Sequence, residues 1–329
     1  MQDFKYFKKI ISKNILFMMI LVLLLVGVSE RIVNLMVAND SYVLDRNKSI
    51  FRILREPENS VDIIVLGDSL GMTSISPMAW WGDYGMTGYV CGQTGQRMQE
   101  AFHMLQAAYE TQSPKLVILE TNMVFRCKNL SSEIKDCLGE IGYRYIPIFQ
   151  GHDIWKSILS EKQYPAENYK GFAFRCETVP YGQGEYMQKN DQKEEISKIV
   201  SFYLEKIRKL CEKNGTKLLL VSTPSPINCN YARHNSIEAY AREKGLDFLD
   251  LNLKTEEIGI NWKTDSLDNG DHLNYSGADK VTRYLGNYLT QNYTFPDHRG
   301  EKAYRAWDKE YKIYEQKAAG EMKVIRRAG

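Results

Sequence analysis

From Val61 onward the chain alternates short β-branched or aliphatic runs with longer stretches in which apolar residues recur every three or four positions. Val61–Leu66 reads as a buried strand ending at Gly67, and Gly88–Cys91, Lys115–Leu119, Lys217–Val221 and Asp247–Leu251 read as four more. Between them, Arg97–Thr111 sets Met98, Phe102, Leu105 and Ala108 on one helical face, while Glu194–Lys213 predicts a long helix stopped by Asn214-Gly215. A further helix closes at Lys244-Gly245, and the last begins near Ser276. Strands alternating with helices predict one doubly wound α/β domain over about 61–290, a five-stranded parallel sheet with helices on both faces.

Three stretches depart from this rhythm. At the start, Lys5, Lys8, Lys9 and Lys13 precede an uncharged apolar run from Ile15 to Val28, then Ser29-Glu30-Arg31 and a second apolar patch from Ile32 to Ala38. The run is short for a spanning helix, yet the second patch lengthens it if Glu30 and Arg31 lie at the interface, and Gly27 and Ser29 match an A-x-A cleavage site poorly. Residues 1–40 are therefore expected to be an uncleaved single-pass anchor in the cell membrane. By the positive-inside rule its basic tip is cytoplasmic, and everything beyond a linker at 41–60 is extracytoplasmic. Between about 126 and 191 aromatics crowd in, among them Tyr143, Trp155, Tyr164, Phe172 and Tyr181. This insertion is either a surface for sugar rings or a lipid-linked substrate, or a subdomain with a small core of its own. From 291 to 329 a polar helical tail interleaves charges with Tyr304, Trp307, Tyr311 and Tyr314, as a helix packed on the domain or lying near a membrane would.

Composition narrows the partners. Lys and Arg number 43 against 41 Asp and Glu, a net charge of +2, which argues against nucleic acid. The six cysteines, Cys91, Cys127, Cys137, Cys176, Cys211 and Cys229, show no CxxC or Cys/His spacing. They read as small buried residues or one incidental disulfide, and no metal site is expected.

Candidate chemistry sits at strand ends. Gly67-Asp68-Ser69-Leu70-Gly71 follows the first strand, at the carboxyl edge where open α/β sheets bind ligands, so Ser69 is placed as a nucleophile. Of five histidines, His272 lies in Asp268-Asn269-Gly270-Asp271-His272-Leu273-Asn274, a polar loop before the last helix that can return beside the first strand. His272 would take the Ser69 proton, with Asp268 or Asp271 holding the imidazole. Adjacent side chains in an extended loop point apart, which favours Asp268.

Gly-Asp-Ser after the first strand and Asp…His-Leu-Asn before the last helix together resemble the first and last motif blocks of the SGNH (GDSL) hydrolase superfamily. The resemblance spans roughly residues 60–290 and implies a flavodoxin-like SGNH fold. It makes Gly95, in Cys91-Gly92-Gln93-Thr94-Gly95-Gln96, and Asn122, in Glu120-Thr121-Asn122, the candidate oxyanion-hole donors beside the serine. Asp68, Leu70, Trp80, Trp81, Thr94, Gln96 and Thr121 are further candidates to line the cleft. Two departures stand out: the usual Asp-x-x-His has Asn269 where the Asp should be, and the third block lacks the Gly-x-Asn-Asp form.

An anchor ahead of such a domain is similar to the cell-envelope acyl-transfer branch, as in D-alanine transfer to teichoic acid or O-acetylation of alginate and peptidoglycan. That resemblance implies acyl transfer through Ser69 to a cell-envelope polymer or glycan hydroxyl, beside a membrane-bound O-acyltransferase partner and without a cofactor. An anchored esterase of glycans or lipids is the alternative, and a non-catalytic glycan-binding accessory protein a third. A water-excluding lid would favour transfer, and 126–191 is where it is expected. Elsewhere, His103 reads as a mid-helix residue either solvated or capped by a neighbour, and Ser222-Thr223-Pro224-Ser225-Pro226 as a rigid exit turn or a cleft wall.

Overall fold

A computed structural model describes residues 2–39, 48–126, 129–146 and 169–328, with Val43, Phe149, Ile154 and Leu159. Cys127, His152, Trp155 and Tyr164 fall outside the described residues. Strands β1 (Ile63–Gly67), β2 (Gly88–Gly92), β3 (Leu116–Glu120), β4 (Lys217–Ser222) and β5 (Asp247–Asp250) form a single parallel sheet in the order β2-β1-β3-β4-β5. The helices are α1 (Gln2–Ala38), α2 (Lys48–Ile53), α3 (Ser69–Ser74), α4 (Pro77–Tyr84), α5 (Met98–Ala108), α6 (Leu130–Tyr145), α7 (Lys198–Lys213), α8 (Tyr231–Lys244), α9 (Thr255–Ile258), α10 (Tyr275–Asn292) and α11 (Arg305–Ala328). The doubly wound α/β fold expected from the alternation is the one observed. The strand order reverses at β1, so the space beyond its carboxyl end, between β2 and β3, is the sheet's switch point.

The three strands β1, β2 and β3 are buried along their whole length because both faces are covered, while β5, at the sheet edge, opens on exposed Asp247. Period two sends Ile64, Leu66, Val117, Leu119, Leu218 and Leu220 into one core with α5, α7 and part of α11. Ile63, Val65, Leu116, Ile118, Leu219 and Val221 go into the other, with Trp80 and the Val281–Leu285–Leu289 face of α10. Trp80 also donates its indole N–H to the Thr282 carbonyl at 2.9 Å, and Trp81 packs against Tyr304 and Trp307 of the tail.

Several local expectations are corrected. The long helix starts at Lys198 and not at Glu194: the Ser197 hydroxyl caps the Val200 N–H at 3.2 Å, and Glu194 pairs with Arg233 at 2.9 Å. The 41–60 stretch is more than a linker, since α2 buries Phe51 and Ile53. The described end of the insertion forms no core of its own; Phe172 joins the main core and Tyr169 and Phe174 pack on it. The tail is a helix on the domain, with Trp307, Tyr314 and Ile325 buried. His103 is buried among Phe102, Tyr145 and Tyr203, because α6 and α7 cover α5, and that burial lowers its pKa. The five described cysteines are free.

Helix α1 carries the one stretch among the described residues that is long and apolar enough to cross a membrane, Ile11–Ala38, and its side chains from 11 to 28 face outward.

Because Trp80 fills one core and has a hydrogen bond that no smaller residue replaces, Trp80→Ala is expected to cost about 3–5 kcal/mol. Denaturant melts of the two full-length proteins in detergent check this; a loss below about 1 kcal/mol would contradict the packing described.

Candidate active site

Ser69 opens α3 directly after β1. Gly67 lets the turn press closely onto β3: a Cβ there would sit 3.1 Å from both Glu120 Cβ and Gly71 Cα, tight enough to push a neighbour aside. Asp68 caps the helix, its Oδ1 accepting the Leu70 N–H at 2.9 Å, and the cap fixes the Ser69 backbone.

His272 arrives from the far end of the domain. The Leu267 N–H bonds to the His272 carbonyl at 2.9 Å and Ser266 bridges Leu273, so residues 268–271 form a tight hairpin loop. Its tip is left-handed at Asn269 (φ 59°) and Gly270 (φ 89°). At Gly270 a side chain would also strike Tyr181 Cδ2 at 2.7 Å. This reversal carries Asp268 over the histidine four residues on: Oδ1 accepts the His272 N–H at 2.7 Å, and Oδ2 lies 2.7 Å from Nδ1. The residue that is extra relative to Asp-x-x-His is taken up by the left-handed pair. Asp271 stands 3.6 Å from Nδ1, and its Oδ1 accepts the Asn228 amide at 2.5 Å.

On the other side of the ring, Nε2 lies 2.8 Å from Ser69 Oγ. A carboxylate only accepts, so Nδ1 holds the ring proton and Nε2 is left to accept the serine hydroxyl. Nδ1 and the two carboxylates also lie within 4.8 Å of one another, a closeness that the Asp268–His272 hydrogen bond already accounts for.

Beneath the serine lies a buried polar layer. Asp68 Oδ2 accepts the Asn122 amide at 2.8 Å and pairs with the Arg126 guanidinium. One Asn122 amide N–H is thus committed to Asp68. Glu120, the last residue of β3, accepts the Asn122 N–H at 3.1 Å and the Thr223 hydroxyl at 3.3 Å. Burial, reinforced by the Asp68 carboxylate, pushes the Glu120 pKa well up. Arg126, the cation of this layer, sits on Asp68. Gly95 is left-handed (φ 66°) with open space where a Cβ would be.

The other cleft candidates need correcting. Trp80, Trp81 and Leu70 are fully buried core residues, so they line no open cleft, and Asp68 lies behind the serine. Gln96 is buried with its amide on the Cys91 carbonyl, and Thr121 is buried with its hydroxyl 2.5 Å from that of Ser222. Thr94 alone of the set is exposed. The Ser222–Pro226 segment is a brace: the Ser225 hydroxyl donates to the Asp271 carbonyl at 2.6 Å. A second brace comes from the insertion's end, where Val179 accepts the Asn269 N–H at 2.9 Å and the Ser266 hydroxyl at 2.7 Å. Sequence reasoning missed Glu120, Arg126, Asn228 and this second brace. Only Glu120 left a signal, an acid closing an otherwise apolar buried strand.

The fold and the three linked side chains define a class: a parallel α/β protein with a hydrogen-bonded Ser–His–Asp chain at the carboxyl edge of its sheet. No protein-family model and no curated protein matches the sequence. Among solved structures, the chain is similar to a Bacteroides fragilis protein described as an acylhydrolase, at 14% identity, covering 76% of this chain and 97% of that one, TM-score 0.39. It is also similar to a GDSL-like lipase of Bacteroides thetaiotaomicron, at 13% identity, covering 70% and 87%, TM-score 0.35. A third is a Streptococcus pneumonia protein described as a platelet activating factor, at 14% identity, covering 74% and 92%, TM-score 0.39.

Glu120 gives a signed test. Its pKa is raised in the folded state, so the folded protein keeps a proton that the unfolded chain releases above about 4.5. Stability from this group is full below that pH and is lost as pH rises toward the folded pKa. Glu120→Gln, which cannot ionise, is therefore expected to gain stability relative to the wild type between pH 5 and pH 8 in thermal melts. A gap that is constant with pH would contradict a raised pKa.

Proposed function

We propose that the protein is a serine acyl-transfer enzyme of the SGNH/GDSL type, anchored in the cell membrane by α1 with its catalytic domain outside the cytoplasm. The observation that carries this reading is the unbroken chain Ser69 Oγ, His272 Nε2, His272 Nδ1, Asp268 Oδ2, at 2.8 and 2.7 Å. In this reading Ser69 Oγ attacks an ester carbonyl while His272 takes its proton. Asp268 holds the tautomer and offsets the imidazolium charge. The carbonyl oxygen becomes an oxyanion, met by the N–H groups of Ser69 and Gly95 and by the other Asn122 amide hydrogen; each such donor is worth about 3–4 kcal/mol. His272 then returns the proton to the leaving alcohol, and Ser69 holds an acyl ester. An acceptor hydroxyl, deprotonated by His272, attacks that ester and regenerates the serine.

The acceptor proposed is a hydroxyl of a cell-envelope polysaccharide or teichoic-acid-like polymer, with a membrane-bound O-acyltransferase as the source of the acyl group. What supports this is α1, which keeps the site beside a membrane. Hydrolysis, an esterase acting on glycans or lipids, is the second reading, and one observation favours it: the Asp268 side chain is 42% exposed, so water reaches the acid end of the relay.

Full-length protein in detergent is to be treated with an activated acetyl ester and followed by intact mass and ester turnover. The reading expects an adduct of one acetyl group that is absent in Ser69→Ala. Turnover should fall about 10³–10⁴-fold in Asp268→Asn and less than tenfold in Asp271→Asn. Polyol or glycan acceptors should draw the acetyl group away from water. An adduct that survives Ser69→Ala, or equal losses in the two Asp variants, would overturn the roles assigned; release to water alone would select the esterase.

A further inference from the structure

Helix α6 packs inside out. Its polar side faces the domain: Asp136 pairs with Arg97, Arg144 with Glu110, and buried Glu133 accepts the Ser197 hydroxyl at 3.2 Å. Its apolar residues Ile134, Leu138, Ile141 and Tyr145, spaced four, three and four apart, form one stripe that faces outward. Leu138 is 65% and Tyr145 62% exposed, although the edge of the Tyr145 ring also meets His103. Ile146 extends the patch. Outside α1 and this region, exposed large apolar residues are scattered along the described chain, which needs no explanation, whereas a stripe along a four-turn helix does.

The insertion that carries α6 is tied to the point where α1 leaves its apolar span. Just beyond Glu30-Arg31, Ile32, Val33 and Val37 of α1 gather with Ile154 of the same insertion around Met36, Val43 and Phe51. Ile154 stands nine positions beyond Tyr145, so the end of α6 lies within roughly 30 Å of that cluster. Helix α5 packs against both α2, which follows the anchor, and α6. Helix α2 itself contacts β2, and its Ser49 hydroxyl donates to the Gly92 carbonyl at 2.6 Å. Anchor exit and apolar stripe thus flank one element at the β2 side of the sheet.

We propose that α6 is an interfacial helix, its Ile134–Leu138–Ile141–Tyr145 stripe lying in the headgroup–acyl boundary of the bilayer that α1 crosses. The inference rests on the reading of α1 as a membrane anchor and deepens the function assigned to Ser69. An amphipathic helix lying in the membrane surface buries its apolar face and turns its charges away; α6 turns Glu133, Asp136 and Arg144 onto the domain, and exposed Lys135 flanks the stripe, where a lysine reaches headgroup level. Both ends of the insertion hold the nucleophile turn: Arg126 pairs with Asp68, and the Ala173 N–H donates to the Met72 carbonyl at 2.9 Å. Seating α6 on lipid therefore sets the Ser69 site beside the membrane surface. The substrate class is an amphiphile whose reacting ester or hydroxyl lies at headgroup level.

The test uses the full-length protein in phosphatidylcholine–phosphatidylglycerol vesicles, with photoreactive benzoylphenylalanine placed singly at position 138, at 23 in the anchor, or at 253. Leu253 is exposed beyond β5, at the opposite edge of the sheet. After irradiation, phospholipid adducts are read by mass. The proposal expects adducts at 138 and 23 and none at 253. Adducts at 23 without 138 overturn it and leave the anchor standing; adducts at neither overturn both readings. Cross-linking from 138 to the chain's own residues 147–168 overturns it by showing the stripe covered from within. Equal adducts at 253 and 138 overturn it by showing that lipid contact is not specific to this face.

Discussion

The hydrogen bond between Ser69 and His272 joins residues 203 positions apart, and the rest of the site is arranged around it. Neither partner can find the other locally. Ser69 is held by a short capped helix at the switch point of the sheet, and His272 by a hairpin that α10 and two braces press toward that point. The distance between them is set by the packing of α10 against α3 and α4, through contacts such as the Thr282 hydroxyl accepting the Ser76 N–H at 3.0 Å. A helix that also fills the second core thus fixes where the imidazole stands, so the chemistry depends on the fold's rigidity and not on a flexible loop.

Much of this was legible in the sequence because the signals are local. Five short apolar runs alternating with helical stretches announce a parallel sheet, and Gly-Asp-Ser after the first and Asp…His before the last helix mark its carboxyl edge. What was not legible depends on contacts across the fold. Adjacent tryptophans look alike in sequence, yet Trp80 and Trp81 point into two different cores. His103 reads as solvated until α6 is known to cover it. Alternation in an extended loop favours Asp268 over Asp271, but what places it is the left-handed Asn269-Gly270 tip, with Asn228, 43 residues from Asp271, holding the other carboxylate, and no spacing rule contains either.

The layer under the serine shows how two carboxyl groups share a buried space. The two neighbouring carboxyl groups, Asp68 and Glu120, share a low-dielectric interior, and the Arg126 guanidinium sits on Asp68 and not on Glu120. The raised Glu120 pKa is the consequence, and it leaves Glu120 a structural role: tying the third strand's end to Asn122 and Thr223. The same layer links the serine to the start of the insertion through Arg126. The turn that carries Ser69, the Asn122 side chain and the stretch leading to α6 are therefore joined through Asp68.

The central claim is that Ser69 is activated through His272. Its most direct test is labelling of the full-length protein with a fluorophosphonate, followed by intact mass and peptide mapping. One adduct is expected, on Ser69, formed rapidly by the wild type and lost in a folded His272→Ala variant. Labelling elsewhere, or labelling of Ser69 at the same rate without His272, would contradict it.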